Sequence, residues 1–573
     1  APILTRIADM LPFYDTKEKS TLTMTGEYAR LFPGNSKAIT KKGIAYIDDF
    51  EGSQSVIEIK TANAWQLAST PQGQEELFPE GNLVDDIAYG FNRAHLAWYT
   101  IDPLFFRNDS RTPSHIRNSS SQANNFSREV LETEVFPNKD PEPGLINNIP
   151  TLDLAFYPNE RGMYNYETSG RNGISAGLNP DGSLRRPDSR WGGIMRDLRT
   201  SDFEASNIEY IQFWIMDPFN PQDGNPNHSG GNLYFNLGSI SEDILKDGRK
   251  AFENGYPANG TLENTDMTVW GRVPTVQSVV QAFNNDPNSR KFQDIGIDGL
   301  SDKDEREVAY ANYLNELKSM LTPAAYNNFE VDPSNDNYHY YRGTDYDNQK
   351  LSILERYKRF NGMEGNSPTA EQSPESYPTA ATTLPDAEDL NQNFNMEKTE
   401  AYYQYKIPLS PQILQPQNVG TNYITDYIDA STEVNGKTKQ VRWYQLKVPI
   451  REPEKVVGNI QGFKSIRFMR MLLKGFDETV IIRFARLGLV RGEWRKYTSD
   501  MVPPGDVVGT EPGNTSFNIS AVNLEENAQR QPINYVLPPD IEQETDFGTS
   551  NLRNLNEQSL VLNVCDLGDG YTK

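Results

Sequence analysis

Hydrophobic and polar positions alternate with period two in several short stretches of the chain, the mark of half-buried strands. Thr21-Leu22-Thr23-Met24-Thr25 is the first. Residues 44–50 and 56–59 follow, divided by a turn at Glu51-Gly52, and Trp65 and Leu67 stand two apart on one face. Residues 127–136 predict a short helix that Pro137 ends. The stretch Ile208–Met216 differs, because it is bulky on both faces: Ile211, Phe213 and Ile215 on one, Ile208, Tyr210 and Trp214 on the other. Its β-branched and aromatic content, with Asp217-Pro218 directly behind it, predicts a central strand covered from both sides. Residues 232–237 then place Leu233, Phe235 and Leu237 on a single face.

Helical patterns occupy 274–284, 302–321 and 348–360, the second with Ser301 as its cap and acidic residues in its first turn. Residues 361–395 are rich in Pro, Ser, Thr, Ala and acids, which predicts a flexible linker. Strand patterns return at 441–450, 466–473 and 480–490. IEYIQFW at 208–214 aligns with FKSIRFM at 463–469, and LYFNL at 233–237 aligns with VIIRF at 480–484. The expected fold is mainly β with helical insertions, built as tandem jelly-roll-like (galactose-binding-like) β-sandwich units. The expected divisions are a strand segment over 1–43, with the end of a barrel strand as one reading of it; a first sandwich with long loops over 44–272; and a helical insertion with an acidic loop over 273–360. The linker, a second sandwich over 396–500 and a truncated third over 501–573 complete the map.

Composition narrows the function. The 573 residues carry a formal net charge of −24, a poor footprint for nucleic acid or an anionic membrane surface. With one cysteine, Cys565, an internal disulfide and a Cys-rich zinc site are excluded. The four histidines, His95, His115, His228 and His339, are too far apart in sequence for a helical metal pair. Nucleophile-elbow, phosphate-loop and dinucleotide-loop motifs are missing from the sequence, and His228 beside Ser229 reads as a plain loop histidine.

One pattern has a mechanism. Asp294, Asp298, Asp302 and Glu305 follow the spacing of a calcium loop, with Gly299 at its sharp turn and Gly296 where an Asp or Asn is expected. These four are the candidate metal ligands, with Ca2+ as the ion. A glycine turn running into a capped helix accounts for the same residues without an ion. Asp332, Asn335, Asp336, Asp345 and Asp347 form a looser acidic cluster, and Tyr338, Tyr340, Tyr341 and Tyr346 are either a ligand platform or a packed loop.

Several long phrases are distinctive together: YIDDFEGS at 46–53, LAFYPNERGMYNY at 154–166, LNPDGSLRRPDSRWGGIMRDL at 178–198, NIEYIQFWIMDPF at 207–219, IGIDGLSDKDE at 295–305 and FKSIRFMRMLLKGF at 463–476. From about residue 20 onward the chain resembles the SprA/Sov family, the outer-membrane translocon of type IX secretion that is also linked to gliding motility. Members of that family are several times longer, so the resemblance implies a large internal piece. It further implies a non-enzymatic extra-membrane region, the extracellular cap, at the cell surface of the outer membrane, with the periplasmic side as the alternative. Implied partners are a PorV-type shuttle protein, a plug protein and secreted cargo with a C-terminal signal domain, with flanking barrel segments holding the region to the membrane. The rival expectation is a carbohydrate-binding surface protein that stacks exposed Trp and Tyr on sugars.

Overall fold

The computed structural model describes residues 10, 12, 44–47, 54–139, 147–250, 253–276, 283–284, 286–296, 298–337, 339–360, 373–377, 384–492, 516–527, 535–537, 543, 545–546, 553–554 and 556–565. The strand expected at Thr21–Thr25 and most of the helix expected over 274–284 lie outside them, as does Trp494. The strands run in order β1 (Ile44–Ile47), β2 (Gln54–Glu58), β3 (Gln66–Leu67), β4 (Ala94–Tyr99), β5 (Leu152–Arg161), β6 (Trp191–Asp197), β7 (Ile208–Met216) and β8 (Gly231–Ser239). Next come β9 (Thr265–Met267), β10 (Arg272–Pro274), β11 (Ala401–Leu409), β12 (Ile424–Val434), β13 (Lys437–Pro449) and β14 (Lys455–Val457). The last are β15 (Phe468–Lys474), β16 (Val480–Gly492), β17 (Ser516–Asn523), β18 (Thr545–Asp546), β19 (Arg553–Asn554) and β20 (Gln558–Cys565).

The chain divides into two compact units. The smaller comprises Ala1–Tyr46, Pro512–Ile519 and Val561–Lys573. A three-stranded sheet has the order β1-β20-β17. The larger unit, Ile47–Glu511 with Ser520–Leu560, contains two antiparallel sheets. One has six strands in the order β14-β11-β8-β15-β6-β3; the other has seven, β12-β13-β7-β16-β5-β4 with β2 also on β16.

Mainly β with helical insertions is therefore the fold. The segments expected as separate first and second sandwiches, however, share both sheets. Strand β7 lies between β13 and β16, and β8 lies between β11 and β15. The stretches that align as a repeat are therefore cross-partners: 208–216 pairs with 480–492, and 231–239 with 468–474. Such strands, rich in bulky apolar residues, need a neighbour on each edge and cover on each face. The two halves of the chain supply these to one another.

The two sheets pack face to face around one core. Phe213 of β7 meets Phe235 of β8 at 5.5 Å and Phe484 of β16 at 5.7 Å between ring centroids. Strand β6 carries Gly192 directly against the opposite sheet. A Cβ there would stand 2.9 Å from the Phe156 ring and 3.0 Å from Leu96 Cβ, so a bare backbone lets the sheets close. The outer face of β7 is covered as its pattern predicts, with Trp214 and Met216 packing against Phe126, Val130, Val135 and Phe136. The expected helix at 127–136 is reduced to one turn at Glu132–Val135.

The helical insertion is present, though its main helix is broken. Ser301 caps a single turn at Asp302–Asp304, a π-turn follows at Glu305–Ala309, and only then does a helix run over Ala311–Met320. A helix at Pro323–Val331, with Thr322 as its cap, was not expected. Leu314, Leu317, Ala325 and Phe329 join the main core. The linker expected over 361–395 is held down where it is described. The Leu390 N–H donates to Glu242 Oε1 at 2.7 Å and the Ile244 N–H to Glu388 Oε1 at 2.7 Å. No helix among the described residues is long and apolar enough to cross a membrane.

Candidate metal centre

Of the four predicted ligands, the fold brings two together. One carboxylate oxygen each from Asp298, Glu305 and Asp336 lies within 4.8 Å of the other two. Asp336 comes from the looser cluster, not from the expected loop. Asp294 faces Arg290, with its Oδ2 2.8 Å from Nη2. Asp302 is half-buried and accepts from Asn337 Nδ2 at 3.1 Å. Of the looser cluster, Asp332 stays beside the trio, its Oδ1 accepting from the Asp336 N–H at 3.1 Å, while Asp345 pairs with His339 at 2.8 Å and Asp347 with Arg356 at 2.6 Å.

Local structure explains the meeting. Asp298 follows the Gly296 bend. Its backbone carbonyl accepts from the Arg272 N–H of β10 at 2.8 Å, and its Oδ1 accepts from the Leu300 N–H at 2.9 Å. Glu305 opens the π-turn, and the Tyr310 N–H reaches its carbonyl at 2.8 Å, five residues on. Inserted turns of this kind redirect a side chain and recur at functional sites. Asp336 lies beyond the Pro323–Val331 helix, where the Arg161 guanidinium of β5 holds the carbonyls of Asp332 and Pro333. The Ser334 N–H donates to Glu305 Oε2 at 3.0 Å and its hydroxyl to Asp298 Oδ2 at 2.5 Å. The Tyr164 N–H donates to the Ser334 carbonyl at 3.2 Å. The carboxylates thus sit where the insertion is tied to the sandwich.

The three side chains are 3%, 0% and 1% exposed for Asp298, Glu305 and Asp336. Both Asp336 oxygens, Glu305 Oε1 and the buried Tyr164 hydroxyl have no hydrogen-bond partner among the described residues. Burial lifts the Asp298 carboxyl to about 7 and the Glu305 carboxyl to about 9, with repulsion from Asp298 and Asp332 adding to the second. Burial, then the Asp298 and Glu305 charges, push Asp336 well above the ordinary range. Such a trio loses its mutual repulsion when it holds protons, and its oxygens are of the kind a hard cation takes. Gly296 makes the approach possible. Its φ is +94°, and a Cβ there would lie 2.6 Å from Asp336 Oδ2. The position that breaks the linear calcium pattern is the one over which a carboxylate from a distant segment arrives.

The other candidates are structural. His228 is buried in its loop, where Nδ1 accepts from the Gly230 N–H at 2.9 Å, while Ser229 donates to Asp477. Tyr341 stacks on Tyr357 at 4.9 Å and bonds Asp102, and Tyr346 stacks on His339 at 3.8 Å, so these tyrosines are packing; Tyr338 lies outside the described residues. Trp65, Trp98, Trp191, Trp214, Trp270 and Trp443 are all buried, which leaves the sugar-stacking expectation without a described tryptophan to carry it. Cys565 ends β20, and its side chain is not among those described. Sequence patterning missed Ser334, Tyr164 and the pairing of Asp336 with Asp298. No local signal marks a contact between segments so far apart.

Residues 312–573 match the family model SprA_N, described as motility related/secretion protein. No curated protein matches the chain.

Proposed function

Residues 312–573 match the SprA_N family of motility related/secretion proteins, and from that premise we propose that the chain forms a non-enzymatic, extra-membrane part of a type IX secretion translocon. The part we propose is the extracellular cap at the cell surface, serving export of folded cargo and gliding motility. A PorV-type shuttle protein, a plug protein and cargo bearing a C-terminal signal domain are the partners this reading assigns. One observation carries it. Among the described residues the two large sheets are open, ending at β14 and β3 in one and at β12 and β4 in the other. Open edges expose backbone groups that hydrocarbon does not tolerate, whereas water satisfies them. A net charge of −24 suits a wall past which folded cargo slides without sticking.

Labelling in intact cells tests the side of the membrane. Cys565 is first replaced by serine, and a single cysteine is introduced by Asn393→Cys, at an exposed position. Reaction with an impermeant maleimide in intact cells is the expected result. Protection until the outer membrane is opened would move the region to the periplasm and end the cap assignment.

A further inference from the structure

We propose that Asp298, Glu305 and Asp336 bind one hard divalent cation, calcium, which closes the helical insertion on itself beside the hydrogen bonds that tie it to the sandwich. The inference does not depend on the secretion role. Three observations carry it together. The carboxylates converge from separate segments onto one point, with an oxygen of each within 4.8 Å of the others. Oxygens on opposite sides of a calcium ion are about 4.6–5.2 Å apart, so the three reach one ion; magnesium demands a tighter octahedron. Both oxygens of Asp336 and Oε1 of Glu305 are buried and unpartnered among the described residues, in side chains that each turn an oxygen into this point. A buried polar atom left so costs free energy that a ligand recovers.

The donor chemistry selects the ion. Carboxylates supply hard oxygens, which favour calcium, magnesium or manganese over zinc or copper. None of the three carboxylates is in an ion pair among the described residues, so no protein cation competes with a metal for them. The backbone shows the same fit, because Gly296 leaves the space that Asp336 enters. The site is therefore not the linear loop that the spacing of Asp294, Asp298, Asp302 and Glu305 suggests. Two of those residues remain, and Asp336 replaces the rest. Arg161, Tyr164 and Tyr166 connect the same segment to the sandwich: Arg161 and the Tyr164 N–H through backbone carbonyls, and the Tyr166 hydroxyl through Ser334 Oγ at 2.8 Å. An ion at this point would pin the two ends of residues 298–336 together, next to the contacts that hold the segment on β5.

Terbium and calcium titrations of the whole chain, first dialysed against a chelator, test the proposal. Trp270 and Tyr310 adjoin the site, the Tyr310 hydroxyl donating to the Trp270 carbonyl and lying 3.4 Å from Asp298 Oδ2. Terbium bound there would be sensitised by their excitation. We expect saturable terbium emission displaced by calcium, and a Tm that rises by several degrees in millimolar calcium. Asp336→Asn should weaken calcium at least tenfold and abolish the Tm shift, while Asp345→Asn, at a residue paired elsewhere, should keep both. Emission and Tm shift that survive Asp336→Asn would overturn the site. So would a wild-type chain that ignores calcium while Glu305→Gln leaves it equally or more stable, for the trio would then be holding protons. If Asp336→Asn fails to fold, proteolysis of the wild-type chain decides: cleavage within 286–337 should slow at least fivefold with calcium, and an unchanged rate refutes the proposal.

Discussion

Arg483 shows how a single residue ties neighbouring strands of one sheet to the loop that covers them. Its side chain is 1% exposed, and its Nε lies 3.1 Å and 3.2 Å from the two oxygens of buried Asp153. Nη1 donates to the carbonyls of Asn125 and Arg128 at 2.6 Å and 3.0 Å, and Nη2 donates to Thr151 at 3.0 Å. Removing one partner of a buried pair strands the other charge, so Arg483→Ala should cost about 3–5 kcal/mol in urea unfolding. The double change Arg483→Met with Asp153→Leu should recover most of that loss, because the burial penalty of the charges disappears with them. His95 makes a pH prediction. Burial lowers its imidazole to about 4, and Nε2 bonds the Lys358 carbonyl at 2.6 Å. Between its unfolded value near 6.5 and 4 the unfolded chain binds the proton that the folded chain refuses. Stability therefore falls as pH drops through that window and is unaffected by His95 above it. Thermal melts from pH 7 to 4 should show a shallower decline in His95→Gln than in the native chain.

At the scale of elements, burial patterns were legible wherever a strand's neighbours only had to be apolar. Ile208–Met216 was readable as a strand covered on both faces because both faces are bulky, and Phe126, Phe136 and Trp443 supply the outer cover. Phe235, at the centre of the facing sheet, touches Phe213 across the core. Phe235→Ala should cost about 3–5 kcal/mol, read as a lower urea midpoint with an unchanged m-value. The helix expected over 302–321 was less legible. Its apolar spacing is helical, but the π-turn at Glu305–Ala309 interrupts it and directs Glu305 inward. That interruption is decided by what Glu305 meets there, the Ser334 N–H, and not by helix propensity. Thr322-Pro323 was a readable helix start that the apolar pattern alone passed over, since Pro at the first turn and Thr at the cap both favour one.

For the whole molecule, the pairing of β8 with both β11 and β15 has a direct consequence. Neither 44–272 nor 396–500 owns a complete sheet. Expressed alone, residues 44–272 should lack a cooperative thermal transition and bind hydrophobic dyes. Co-expression with 396–500 should restore a single melt. A cooperative melt of the first piece alone would show that the halves fold independently after all.

The amino-acid sequence alone determined where most strands lie, that the body is mainly β, that a helical insertion carries an acidic loop, and which family the chain resembles. These follow from local spacing, composition and long phrases, all of which survive in one dimension. Tertiary structure decided which strands are neighbours, and so made one sandwich where two aligned blocks suggested a pair. It also chose Asp336 over Asp294 and Asp302 as the third carboxylate. Both outcomes depend on contacts between distant segments, set by how apolar faces and charges find mutual burial, and no periodicity along the chain records that choice.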